Sequence, residues 1–318
     1  MSTLPQALHD PANLTTLAQD LRFYPGISAA DLEELIEFAR TFQHEATPPG
    51  DRVADFMGVF TRTRFIRGHD HLGGRQEGLP YPSNFHAEAI EWSGLVKALA
   101  RADKTREFVA VELGAGWGPW LVAAHHGAKA RGFEKIRLVG MEADAGHFEF
   151  MRQHFVDNGI DPRGHELIQG VVAANDGVAH FPALVDPSAD WGAQADFNKT
   201  DGSRSNDYRG FAQDWVKVPC HGLAGLLSRF ASISFLHCDI QGHEYEVLSS
   251  CFDVLKERVR TMVIGTHSRL IEGQLFDSLV AQGWTLAGEK PCKFQLDDGK
   301  PALSVDGTQV WLNSGPAR

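Results

Sequence analysis

The stretch VELGAGWGPW at residues 111–120 places three glycines at alternate positions directly after a run of apolar residues. Glycine adopts backbone conformations that are closed to other residues, and it lets a ligand approach the main chain. Pro119 is suited to the first position of a helix. The stretch therefore predicts a strand, a tight glycine turn and a helix, which is where parallel α/β sheets bind their ligands.

Beyond residue 105 the sequence alternates short apolar runs with helical segments. The runs are rich in β-branched residues: FVAVEL, IRLVGM, HELIQGVV, ISFLHC and RTMVIG. Helices are predicted between them, at 119–129, 147–158, 243–257 and 270–282. This alternation predicts an α/β fold with a mostly parallel sheet and helices on both faces. WTLAGE, CKFQL and TQVWLN, with Asp-Gly pairs between them, predict antiparallel C-terminal strands.

Two regions and one insertion are expected. Residues 1–105 are predicted to be a helical N-terminal extension, because apolar residues follow the start signal at Ser28 with helical spacing: Leu32, Leu35, Ile36 and Ala39. A second helix is predicted to begin near Asn84. Residues 106–318 form the α/β domain, in which the polar stretch 186–214 is long enough to be a lid or a substrate-binding insertion.

Composition and charge exclude several classes of protein. The net charge of −11 over 318 residues argues against a nucleic-acid-binding protein, which normally carries a basic surface. No apolar run approaches the ~20 residues that span a membrane. Neither a signal peptide nor a pair of closely spaced cysteines occurs, so we expect a cytoplasmic protein without a zinc site or disulfide bonds.

Three interpretations of the glycine turn compete. A dinucleotide site would need GxGxxG, but the third glycine comes one residue early, and a pyrophosphate would be repelled by Glu112. A purely structural turn is the second interpretation. The third is S-adenosylmethionine, whose sulfonium and ammonium suit an acid beside the loop. Glu142, at the end of the next strand, could accept ribose hydroxyls, which NAD also has, so only Glu112 with its glycines favours S-adenosylmethionine.

Four stretches resemble a known family. VELGAGWGPW followed by VGMEAD resembles the first two motifs of class I methyltransferases, and FLHCDIQGHEYEVL and DGTQVWLN resemble the FkbM family. The likeness covers residues 108–313. Asp239 matches the family pattern, whereas Gln241 stands where the family usually has an acid.

This resemblance implies a Rossmann-like methyltransferase domain over 106–318, S-adenosylmethionine as methyl donor, and a sugar or glycoside hydroxyl as acceptor. Glu142 would bind the ribose, and Ala143, Val172 and Ala173 would lie close to adenine. The complete set of implied donor-binding residues is Glu112, Gly114, Ala115, Gly116, Trp117, Gly118, Glu142, Ala143, Val172, Ala173 and Asp239.

Three residues are candidates for the chemistry. Asp239 and His267 follow two predicted neighbouring strands, and His243 begins the next helix. Methylation of a hydroxyl benefits from a general base, and a histidine with an ordinary pKa of ~6.5 is suited to that task. His267 is therefore the predicted base, with Asp239 orienting it or holding the acceptor. Asp239 could instead cap a helix, His243 could be solvated, and His267 could bind local backbone.

A divalent metal is a variant that the sequence does not favour. Asp239 and His267, with Glu244 or Glu272, could bind magnesium, but histidine is a poor ligand for that ion.

The loop between Arg62 and Arg75 is rich in arginine and histidine. It is predicted either to bind an anionic acceptor or to pair with nearby acids. Four aromatic residues of the insertion could stack on a sugar: Trp191, Phe197, Tyr208 and Phe211.

The expected partners are a small-molecule or glycan acceptor and a second copy of the chain bound through the N-terminal helices. An NAD-dependent oxidoreductase and a non-catalytic methyltransferase-like scaffold are the alternative functions.

Overall fold

The computed structural model describes residues 26–42 and 47–315. Its central sheet has seven strands, numbered along the chain. From one edge to the other they are β13 (Trp284–Lys290), β16 (Gly307–Asn313), β12 (Thr261–Thr266), β11 (Phe235–Cys238), β3 (Phe108–Leu113), β4 (Ile136–Glu142) and β5 (Glu166–Gln169). β16 is antiparallel to both β12 and β13, and the strands from β12 to β5 are parallel. The predicted α/β, Rossmann-like fold is confirmed.

Helices cover both faces of this sheet. One face packs against α1 (Ala29–Ala39), α2 (Ala89–Arg101), α3 (Pro119–Ala130) and α4 (Ala145–Asp157). The other packs against α5 (Leu223–Leu227), α6 (Glu244–Ser249), α7 (Phe252–Arg258) and α8 (Arg269–Ala281). Neighbouring residues of β3 alternate between the two cores: Phe108 and Ala110 belong to the first, and Val109 and Val111 to the second. This explains why the strands are apolar throughout.

The single helix predicted at 243–257 is wrong, because the chain breaks between α6 and α7. The Ser250 hydroxyl donates to the Val247 carbonyl, and Cys251 leaves the helical conformation with φ −147° and ψ 37°. A serine side chain that binds the preceding turn competes with the helical hydrogen bonds. The break ends α6 at Ser249, and α7 begins at Phe252.

The N-terminal region contains more than helices. A hairpin of β1 (Arg52–Ala54) and β2 (Phe60–Arg62) lies between α1 and α2. α2 begins at Ala89 rather than near Asn84, because the Asn84 side chain accepts hydrogen bonds from the backbone of His86 and Ala87 in a turn. α1 and α2 share a continuous core with the central sheet.

A second, smaller sheet carries the polar insertion. It consists of β6 (Val171–Ala173), β10 (Trp215–Gly222) and β7 (Gly177–Pro182), in that order. Residues 186–214 connect β7 to β10 and contain a 3-10 helix (Pro187–Ala189) and the short strands β8 (Ser205–Asn206) and β9 (Ala212–Gln213). β14 (Lys293–Asp297) and β15 (Lys300–Val305) form a separate hairpin.

No helix within residues 26–42 and 47–315 is both long enough and apolar enough to cross a membrane.

Gly94 determines how closely α2 approaches the sheet. A Cβ at this position would lie 2.3 Å from Cγ2 of the buried Val263. We therefore expect Gly94→Ala to lower the free energy of unfolding by about 1–3 kcal/mol through overpacking. Gly273 in α8 is the matched control: it has no atom within 4 Å of its added Cβ, so alanine there should stabilise by about 0.5–1 kcal/mol. Urea unfolding measures both, and stabilisation by Gly94→Ala would contradict the close approach.

Candidate active site

A cavity of about 480 Å³ opens at the carboxyl ends of the parallel strands. The chain order reverses beside β3, which has β4 on one side and β11 on the other, and such points are the usual ligand sites of open α/β sheets. Most predicted donor-binding residues line the cavity: Glu112, Gly114, Ala115, Gly116, Trp117, Glu142, Ala143, Val172 and Asp239. Gly118 and Ala173 are not among the lining residues. Gly118 precedes α3 against Met151, and Ala173 packs in the small sheet.

The glycine turn has the backbone conformation that its sequence predicts. Gly114, Gly116 and Gly118 have φ values of 72°, 54° and 70°, which other residues rarely adopt. At Gly114 a side chain is also excluded by space, since a Cβ would lie 1.9 Å from the carbonyl oxygen of Asp239. The turn after β3 therefore contacts the end of β11 directly.

Glu142 holds the two loops that flank the cavity. Its Oε2 accepts the Gly116 N–H and its Oε1 the Asp144 N–H, both at 2.8 Å. Asp144 in turn caps α4 by accepting the N–H groups of Gly146 and His147. The carboxylate thus fixes the glycine turn relative to the start of α4.

Glu112 is buried beneath the turn. Its carboxylate accepts the N–H groups of Trp120 at 3.4 Å and Leu121 at 3.1 Å, at the start of α3. Burial raises its pKa well above the ordinary value, and the charges of Glu142 and Asp239 raise it further. A cationic ligand in the cavity would relieve this repulsion, whereas an anionic ligand would increase it.

The insertion packs over the Glu142 side of the cavity. Trp191 stacks on His147 with ring centroids 3.9 Å apart and contacts Trp117 edge-on at 4.7 Å. Phe197 also lines the cavity, whereas Tyr208 and Phe211 are exposed side chains outside its lining. The insertion therefore contributes part of the cavity wall, and its role as a lid or a substrate-binding segment stays a prediction.

His243 joins the insertion to the loop after β11. Its Nε2 lies 3.1 Å from the Ala195 carbonyl oxygen, and its ring contacts Phe197 edge-on at 4.8 Å. It lines the cavity together with both of these residues. These contacts give His243 a role in holding the wall.

Asp239, His267 and Glu244 form a chain of charged groups at the β11 side. His267 Nε2 lies 3.4 Å from Asp239 Oδ1, and its Nδ1 lies 2.9 Å from Glu244 Oε1. Burial alone would lower the pKa of His267, but Asp239, Glu244 and Asp306 together raise it to about 9. His267 therefore carries a proton at neutral pH, so the expectation of an ordinary pKa near 6.5 is wrong. Asp239 lines the cavity and His267 lies behind it.

The same three residues are the candidate metal group. Asp239, Glu244 and His267 each offer a ligand atom within 4.8 Å of the others. Glu272 instead binds the Thr266 hydroxyl and the Cys292 N–H, away from the group. Glu244 Oε1 also accepts the N–H groups of Ile240 and Gly242, so it already stabilises the loop without an ion.

Two arginines of the arginine-rich loop form ion pairs with acids of other segments. Arg62 binds Asp157 at 2.6 Å, and Arg67 binds Asp186 at 2.9 Å. Among the described residues of this loop, Ile66 is the one that lines the cavity. Arg62 and Arg67 are therefore paired with acids, and binding of an anionic acceptor by this loop stays a prediction.

His237 and Glu91 are among the cavity residues that were not predicted from the sequence. His237 on β11 lies directly opposite Glu112 of β3, and Glu91 extends from the start of α2 towards it. Strand periodicity contains a signal for the first, since His237 is two residues before Asp239 and shares its face of the strand. Nothing in the sequence around Glu91 indicates which strand it meets.

No protein-family model matches the chain. A protein of Jannaschia sp. (strain CCS1) with the name “Putative methyltransferase” is 36% identical over 269 residues, which are 84% of this chain and 94% of that protein. This chain belongs to the same family and is an S-adenosylmethionine-dependent methyltransferase.

Solved structures with similarity to the chain include other methyltransferases at low TM-scores. The precorrin-6y C5,15-methyltransferase of Geobacter metallireducens GS-15 has a TM-score of 0.38 and 10% identity, over 72% of this chain and 89% of that one. The human methyltransferase 10 domain containing protein has a TM-score of 0.37 and 12% identity, over 71% and 80%.

The raised pKa of His267 makes the stability of the protein depend on pH. A group whose pKa is raised on folding contributes stability that is complete below its unfolded pKa of 6.5 and is lost as the pH rises through about 9. Between about pH 6 and pH 10 we expect the wild type to lose about 2–3 kcal/mol of unfolding free energy relative to His267→Gln. Urea unfolding across this range is the measurement, with His71→Gln at an exposed histidine as control. A difference that is constant with pH would contradict the raised pKa.

Proposed function

We propose that this methyltransferase transfers a methyl group from S-adenosylmethionine to a hydroxyl of a sugar, glycoside or related small molecule, as its resemblance to the FkbM family implies. The observation that carries the proposal is the position of Asp239. Its carboxylate lines the cavity beside the glycine turn, and His267 fixes it from behind. Methylation of a hydroxyl needs a proton acceptor beside the methyl donor, and Asp239 is suited to that task.

The donor would lie across the glycine turn. Glu142 uses one lone pair of each oxygen for the backbone and keeps others for ribose hydroxyls. Ala143 and Val172 offer an apolar surface to adenine. The carboxylate of Glu142 supplies negative charge that a sulfonium and an ammonium favour.

Burial and two neighbouring side chains, His267 and Gln241, prepare Asp239 for proton transfer. Burial raises the pKa of its carboxyl group, which strengthens it as a base, and the imidazolium of His267 keeps it oriented. Gln241 donates its amide N–H to Asp239 Oδ1 at 3.0 Å. An acid at position 241 would lack this donor and repel Asp239, so this departure from the family pattern fits a single carboxylate at the reacting centre.

The proposed reaction needs only the methyl donor, the acceptor hydroxyl and the Asp239 carboxylate. The acceptor oxygen attacks the methyl carbon in line with the sulfonium, the carbon–sulfur bond breaks, and S-adenosylhomocysteine leaves. The hydroxyl proton passes to Asp239. Positioning of the two reactants accounts for most of the rate, because the chemistry is a single displacement.

The four cysteines bear on the cellular location of the enzyme. Cys220, Cys238, Cys251 and Cys292 are buried and unpaired, as in proteins of a reducing compartment. We place the enzyme in the cytoplasm, acting on a small-molecule or glycan acceptor, with the N-terminal helices as the surface for a second copy of the chain.

A panel of sugars and glycosides with methyl-labelled S-adenosylmethionine tests the proposal. We expect label on a hydroxyl oxygen of at least one acceptor, located by NMR of the product. Transfer to nitrogen or carbon only, or turnover that needs no hydroxyl on the acceptor, would contradict O-methylation.

Asp239→Asn tests the assigned base. With an active acceptor we expect kcat to fall by about 10²–10⁴-fold, because the amide cannot accept the proton. The affinity for S-adenosylhomocysteine should change little, because the proposal assigns the Asp239 carboxylate to the acceptor, in place of the donor-binding role that the family resemblance implies. A kcat within about threefold of the wild type would remove Asp239 from the mechanism. Activity abolished by a chelator and restored by magnesium would instead favour the metal variant.

A further inference from the structure

The β11 side of the cavity contains a buried histidine without a hydrogen-bond partner. His237 is 4% exposed, and within residues 26–42 and 47–315 neither of its ring nitrogens makes a hydrogen bond. Its ring packs against Trp120, with centroids 5.3 Å apart and planes tilted by 33°. A buried polar group normally has a hydrogen-bond partner, so both nitrogens are available to a ligand in the cavity that His237 lines.

Glu91 places a carboxylate beside this histidine. Its Oε2 accepts the N–H of Glu88 at 2.9 Å and so caps α2, while its Oε1 faces His237 Nε2 at 3.6 Å. That separation exceeds hydrogen-bond length, so each group retains capacity for another partner. Glu112, in contrast, is occupied by the backbone N–H groups at the start of α3.

An adjacent donor and acid fit one ligand chemistry especially well. An α-amino acid end carries an ammonium and a carboxylate on the same carbon, so it can use both groups at once. A ring N–H of His237 would donate to the carboxylate, and Glu91 would accept from the ammonium. Either interaction involves a charge and is stronger than a neutral hydrogen bond.

The position of the pair agrees with the length of the donor. Glu142 ends β4 and His237 lies on β11, with β3 and its glycine turn between them. Two strand spacings separate them by about 10 Å. A donor whose ribose is bound at Glu142 therefore crosses the glycine turn and brings its amino-acid end to His237 and Glu91.

We propose that His237 and Glu91 bind the amino-acid end of S-adenosylmethionine. The inference rests on the proposed function, because it takes the ribose to lie at Glu142. The donor then occupies the β11 side of the cavity, below Asp239. The acceptor binds in the remaining region, around Asp239, Gln241 and Asp306.

Two ligands that differ only in this end provide the test. S-adenosylhomocysteine carries the ammonium and the carboxylate, and 5′-methylthioadenosine lacks both while keeping the ribose and adenine. His237→Phe preserves the ring packed on Trp120 and removes both nitrogens. Isothermal titration calorimetry should show an affinity for S-adenosylhomocysteine at least about 10-fold weaker, and an affinity for 5′-methylthioadenosine within about twofold of the wild type.

Glu91→Gln is the second variant, because glutamine still accepts the Glu88 N–H and loses only the charge. It should show the same selective loss. Glu142→Gln is the matched control and should weaken both ligands, since both contain the ribose. Unchanged melting temperatures confirm that the variants fold.

Three results would overturn the inference. His237→Phe could weaken both ligands equally, or it could leave S-adenosylhomocysteine binding unchanged and raise the KM of the acceptor, which would place the acceptor at this end. Wild-type protein that binds neither ligand would overturn the proposed donor site, and this inference with it.

Discussion

The carboxylate of Glu142 is the interaction on which the site depends. It is buried, and its two oxygens accept the N–H groups of Gly116 in the glycine turn and Asp144 before α4. Hydrogen bonds to a charged acceptor contribute about 1.5–3 kcal/mol each, so the loops are fixed before any ligand binds. His147 lies in the first turn of α4, and Trp191 of the insertion stacks on its ring. This contact positions the insertion beside the cavity.

The cavity so formed is strongly acidic. Glu91, Glu112, Glu142 and Asp239 line it, and among its described lining residues there is neither a lysine nor an arginine. Such a site favours a donor that carries a sulfonium and an ammonium, and it repels a pyrophosphate. The charges of the cavity thus explain why a methyl donor would bind there in preference to a dinucleotide, although the glycine turn resembles a dinucleotide site.

The glycine turn and the alternating apolar runs were sufficient to predict the fold. The turn reflects local backbone geometry, and the apolar runs reflect strands that are buried on both faces of the sheet. Contacts between distant segments were not predictable. Glu91 and His237 meet only because α2 starts at the carboxyl edge of the sheet, and the small sheet pairs β6 with β10 across the insertion. The raised pKa of His267 likewise depends on Glu244 and Asp306, which the fold brings together.

Equilibrium binding to the wild-type protein tests the central claim most directly, namely that this acidic cavity holds S-adenosylmethionine. In calorimetric titrations we expect S-adenosylhomocysteine to bind with a dissociation constant on the order of micromolar, within the usual range for a specific small ligand. NAD should give no binding heat, because its pyrophosphate would meet the Glu142 carboxylate and neither a lysine nor an arginine among the described lining residues. Binding of NAD in place of S-adenosylhomocysteine, competing at the same site, would contradict the account.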